Sequence, residues 1–153
     1  MKSSPEVIKV LKAGVDAESR LNLRYRLDAR SLKFMGVKKV ACKAKDFGDD
    51  AHLYMKKLTD RILLLGGSPS YNSGEITEQT TVTALLKNEL AMETAIVAPY
   101  EQAVQVSMKA LDDTSRNLFE HLLKWHEKHI GWLECQLRLI EGMGEEEYIA
   151  EKL

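Results

Sequence analysis

The chain has 153 residues, enough for a single domain over 1–153 with a full-sized core. Its 22 basic and 23 acidic side chains leave a formal net charge of −1, so there is no electrostatic footprint for nucleic acid or an anionic membrane. No apolar run approaches the roughly 20 residues of a membrane span. Met1-Lys2-Ser3-Ser4-Pro5 leads into an amphipathic stretch rather than a secretory signal, and Cys42 and Cys135 are too few for a disulfide scaffold, so a cytoplasmic protein with reduced thiols is expected.

Taken in order, the elements read as helices throughout. The first helix is predicted from about Ser4 to Phe34, ending near Gly36, and the second from about Lys38 to Leu65, ending at Gly66-Gly67. Residues 68–80 contain Pro69, Asn72, Ser73 and Gly74 and read as a long connection. A third helix is predicted from about Thr81 to Ala110, kinked at Pro99, which lacks an N–H and collides with the preceding turn. The fourth begins after the cap candidates Asp112 and Asp113 and stops at Gly142; a short fifth spans about Glu145 to Lys152. Two short turns flanking one long crossover predict an all-α, antiparallel four-helix bundle of the ferritin-like topology with a short C-terminal helix.

The interior stripes follow from steps of three and four. They run through Leu11, Val15, Glu18, Asn22, Tyr25, Ala29 and Leu32, and through Phe47, Ala51, Tyr54, Leu58 and Leu65. In the second half they run through Val82, Leu86, Glu93, Val97, Tyr100 and Val104, and through Phe119, Leu122, His126, His129, Leu133 and Ile140. The two halves match at a shift of 75 residues: Glu18 meets Glu93, Tyr25 meets Tyr100, and Gly67 meets Gly142. Two glutamates and two histidines therefore point into an apolar core. Buried charge is costly unless paired, so these groups need a metal, each other, or a proton shift.

The runs Asp60-Arg61-Ile62-Leu63, Glu89-Leu90-Ala91-Met92-Glu93 and His129-Ile130-Gly131-Trp132-Leu133-Glu134, with the Gly36 region, resemble bacterioferritin over nearly the whole length. That resemblance implies a di-iron site with one Glu on each of the first and third helices and Glu-x-x-His on each of the second and fourth. It implies oxidation of ferrous iron by oxygen or peroxide, and dimers built into a twenty-four-subunit shell around a mineral core. Glu18, Glu93 and His129 match this pattern. Ala51 and Tyr54 stand where the second helix should carry Glu and His, and His126 stands for the fourth-helix Glu. Both glutamate-to-helix spacings are 33 residues (51 − 18 and 126 − 93), so register does not explain the difference. Asp49-x-x-His52 does not substitute, because two residues rotate a helix by roughly 200° and turn that pair outward.

The expectation is a shell subunit for iron storage without a complete ferroxidase centre, either a homo-oligomer or a partner of a ferroxidase-active bacterioferritin. The alternative is one iron or zinc on Glu18, Glu93, His126 and His129, doing another redox or sequestering task. A metal-free network, each His donating to a Glu, also satisfies these residues. Tyr25, Ala51, Tyr54 and Tyr100 line the site. The resemblance also places His52 at the family's haem-ligating position, which makes it a candidate axial ligand to haem b. Its neighbours Ser19, Asn22, Arg26, Lys45 and Asp49 make that slot polar. Glu145-Glu146-Glu147 is expected to be a solvated first turn.

Overall fold

The computed structural model describes residues 4–153; Met1 to Ser3, and the expectation about a leader that rests on them, lie outside the described residues. Six helices follow in order: α1 (Pro5–Phe34), α2 (Lys38–Leu64), α3 (Val82–Ala95), α4 (Val97–Lys109), α5 (Asp113–Met143) and α6 (Glu145–Glu151). No strand occurs among the described residues. α1 packs along α2, α5 packs along α3 and α4, and the two pairs join where α1 meets α3 and α4. This is the expected antiparallel bundle.

Three helix starts are capped by a side chain. The Ser4 hydroxyl accepts from the Val7 N–H with Pro5 in the first turn, Thr81 accepts from Ala84, and Asp112 accepts from Ser115. Of the two cap candidates before α5, Asp112 is the cap. The single third helix expected from the sequence is instead two helices broken at Ile96. Pro99 has no N–H for the Ala95 carbonyl, so the chain tightens at Ile96, whose N–H turns to Glu93 O at 3.3 Å, and restarts with Pro99 in a first turn where it is tolerated.

The crossover begins with Gly66 at φ +84°, and Gly67 tucks in behind it. A Cβ on Gly67 would lie 2.9 Å from Ile62 Cγ2 and 3.1 Å from Ile8 Cγ2. At the far end, Tyr148 of α6 is buried and its hydroxyl donates to Gln136 Oε1 at 2.7 Å. Glu145 differs from the solvated role expected of it. One of its oxygens accepts from both the Thr83 N–H and hydroxyl at 2.8 Å, so it satisfies the first turn of α3. The core holds Leu11, Val15, Leu32, Leu58, Leu86, Phe119, Leu122 and Leu133, each fully enclosed. Asn22, Ala29 and Val97 are only half-buried, at the edge of their stripes.

Candidate metal centre

At mid-bundle the apolar stripes give way to polar groups from three directions. Glu18 comes from α1, Glu93 from α3, and His126 and His129 from α5; the first three are wholly buried and His129 is 2% exposed. The i, i+3 spacing on α5 puts both rings on one face. His126 lies between the carboxylates: Nδ1 is 2.6 Å from Glu93 Oε2 and Nε2 is 2.7 Å from Glu18 Oε2. Two acceptors facing two ring nitrogens require an N–H on each, so the ring is an imidazolium. Burial by itself pushes this imidazole down, but Glu18 and Glu93 outweigh it and raise its pKa to about 10. Burial likewise pushes Glu93 up, and the bonds from His126 and His129 reverse that and hold it at about 2.

The tyrosines cross between the two halves. Tyr25 of α1 donates to Glu93 Oε1 and Tyr100 of α4 donates to Glu18 Oε2, both at 2.5 Å. Each repeat's tyrosine thus holds the other repeat's glutamate. Burial first, then the facing carboxylate, raises both phenols well above their ordinary range, so both remain donors.

His129 Nδ1 lies 2.9 Å from Glu93 Oε1, and its Nε2 lies 3.1 Å from Oδ2 of Asp50, which is 39% exposed. The sequence reading missed Asp50. Its signal was its place one residue before Ala51 and one helical turn before Tyr54. Phe47 stacks on the His129 ring at 3.8 Å between centroids, and Trp132 closes edge-on over Phe47.

Glu93, His126 and His129 each offer a ligand atom within 4.8 Å of the others. Glu18 is in the network but outside that tight cluster, because the His126 ring separates it from Glu93. Its Oε1 is buried without a hydrogen-bond partner. On the α2 side, Ala51 presents a methyl group and Tyr54 sets its ring edge-on to His126 at 5.5 Å between centroids. Asp49 and His52 are exposed on the outer side of α2, as the helical rotation required. Asp49 is held there by Arg26 at 2.6 Å and Lys45 at 3.1 Å.

The model of the ferritin-like domain matches residues 8–143. A bacterioferritin of Streptomyces coelicolor is 33% identical over 151 residues, covering 98% of this chain and 90% of its own. A bacterial ferritin of Pseudomonas aeruginosa is 29% identical over 154 residues, covering both chains completely. The solved structure of the bacterioferritin BfrA of Mycobacterium tuberculosis superposes with a TM-score of 0.96 at 28% identity, covering 100% of this chain and 97% of that one. Fold, helix pairing and relatives agree, and the chain belongs to the ferritin-like family as a bacterioferritin.

Proposed function

We propose that this chain is a shell subunit of an iron-storing bacterioferritin whose own ferroxidase centre is incomplete, and that it forms its shell together with a ferroxidase-competent sister subunit. The carrying observation is the filling of the centre. Ala51 supplies a methyl group and Tyr54 a phenol where two iron ligands would stand, while His126 is bonded through both nitrogens to Glu18 and Glu93. Two ferrous ions taken as substrate need carboxylate oxygens to bridge and balance them. Here the His126 imidazolium offsets one of the two central carboxylate charges, and two phenol donors occupy oxygens that a metal pair would need. The residues do not fit a pair of irons.

Stopped-flow mixing of ferrous iron with the assembled protein under oxygen tests this. The expected result is slow oxidation that does not saturate. The variant Ala51→Glu/Tyr54→His/His126→Glu, which restores the family ligand types, is expected to be at least about tenfold faster. Rapid, saturable oxidation by the unaltered homo-oligomer would end the proposal.

A second reading has its own support. Glu93, His126 and His129 converge, and Glu18 keeps one buried oxygen without a hydrogen-bond partner. With neutral rings, the two carboxylates carry a charge that one divalent iron or zinc ion would neutralise. Such an ion must displace a ring proton from His126, so its affinity would rise with pH. Plasma emission on pure protein separates the readings: one metal per chain, lost in His126→Ala and His129→Ala, favours the single-metal role.

The fit for haem is poor. His52 offers an exposed imidazole, but Arg26 and Lys45, the cations that would meet propionates, are both engaged by Asp49. Nothing in the proposed role passes through haem. A Soret band in purified protein that vanishes in His52→Ala would restore it.

A further inference from the structure

One helical turn along α3 from Glu93 lies a second buried charge cluster that the centre does not use. Arg24 is 3% exposed, Asp28 0% and Glu89 1%. The guanidinium is committed to Asp28: Nη2 lies 2.6 Å from Oδ1, and Nε lies 3.1 Å from each carboxylate oxygen. Glu89 faces Asp28, and its own Oε2 is buried with no partner.

The charge count does not close if both acids are ionised. Arg24 and Asp28 of α1 and Glu93 of its own helix act electrostatically on Glu89, which in turn acts on Tyr25 of α1 and Tyr148 of α6. Arg24 is the cation acting on Glu89, and it already balances Asp28. An ionised Glu89 would be an unpaired charge in the core with an orphan oxygen, a penalty of several kcal/mol. A proton on Glu89 removes the charge and supplies the donor that two facing carboxyl groups otherwise lack.

We propose that Glu89 is a neutral carboxylic acid at neutral pH that donates its proton to Asp28, forming a one-proton pair, anchored by Arg24, that fastens α3 to α1 beside the metal centre. Burial first, and then the Asp28 carboxylate, push the Glu89 carboxyl well above its ordinary range, in the same direction as the geometry. The pair sits where it matters to the centre. Tyr25, next to Arg24 on α1, is the donor to Glu93, and Glu93 lies one turn beyond Glu89 on α3. Raising the pH until the proton leaves puts two carboxylates against each other across the α1–α3 seam. The pair is thus a latch that opens in alkali.

Infrared difference spectroscopy on the assembled protein reads the proton directly. At neutral pH the exposed acids absorb as carboxylates, so the carbonyl stretch of a protonated carboxyl group is expected as a single band. Glu89→Gln, which keeps the size and the donor, is expected to abolish the band, keep the fold by circular dichroism, and make the loss of stability with rising pH shallower. Asp28→Asn is expected to weaken or abolish the band as well, because Arg24 is then free to pair with an ionised Glu89. Absence of the band in the unaltered protein would overturn the proposal. So would a band that survives Glu89→Gln and vanishes in Asp28→Asn, since the proton would then reside on Asp28.

Discussion

His126 does in this core what a cation would do, holding Glu18 with one ring nitrogen and Glu93 with the other. Removing it leaves two wholly buried carboxylates with their tyrosine donors and, for Glu93, His129. Breaking a buried pair from one side costs about 3–5 kcal/mol. His126→Ala is expected to lose stability in that range by chemical denaturation of the metal-free protein, and a loss below about 1 kcal/mol would show that the ring does not balance the pair. The pH dependence has a definite sign. The His126 pKa is raised in the folded state from 6.5 to about 10, so its contribution is complete below about 6.5 and is lost as pH rises through about 10. The Glu93 pKa is lowered from 4.5 to about 2, so its contribution is present above about 4.5 and lost as pH falls through about 2. Both describe one network and are not summed. The denaturation midpoint is expected to peak between about pH 4.5 and 6.5, and stability that rises from pH 7 to 10 would contradict this charge assignment.

The turn between α4 and α5 carries a testable strain. Leu111 takes φ 57° while 88% exposed, so it bears the cost of a left-handed conformation without packing in return. Leu111→Gly is expected to raise stability by up to about 1 kcal/mol in thermal melts, the gain being reduced by the greater freedom of glycine in the unfolded chain. The residue that follows, Asp112, does more. It caps α5 through the Ser115 N–H at 3.0 Å and accepts from Arg61 of α2 at 2.8 Å, which ties the two helices together. Asp112→Ala is expected to cost about 1–3 kcal/mol. Asp113→Ala, at a 76%-exposed position, is expected to stay within about 0.5 kcal/mol. Equal effects of the two would show that Asp112 gains nothing from being cap and partner at once.

Elements of this kind are what the sequence disclosed best. Helix ends followed from the cap candidate Asp112 and the glycines, and the inward direction of Glu18, Glu93, His126 and His129 followed from periodicity alone. The break at Ile96 was legible only as a kink, because Pro99 fixes that something must give but not where the chain yields. Arg24 and Asp28 were not legible. At i, i+4 they look like an exposed surface pair, and their burial depends on tertiary packing that no local pattern announces. Glu89 was hidden for the same reason. The bond from His129 to Asp50 spans 79 residues, a pairing that no local period announces.

At the scale of the whole molecule, a lone chain leaves an apolar flank in water. Leu23 on α1 is 44% exposed and Leu53 on α2 is 46% exposed, while Leu63 and Leu64 are more than half exposed near the start of the crossover. The crossover itself is drawn toward α2, where the Tyr71 hydroxyl lies 3.4 Å from the Thr59 hydroxyl. Scattered leucines on a monomer need no explanation, but several on one helix pair with a polar surround mark a surface meant for a partner. The Arg26–Asp49–Lys45 group on the same pair supplies that surround. Under the proposed shell architecture this flank meets another subunit. Placing a carboxylate there would desolvate an unpaired charge at an interface with little cost to the fold, since Leu53 lies outside the core. Leu53→Glu is therefore expected to keep full helicity and the His126 network, and to move native mass from the assembled shell to small species. If the variant assembles like the parent, the α1–α2 flank is not a shell contact.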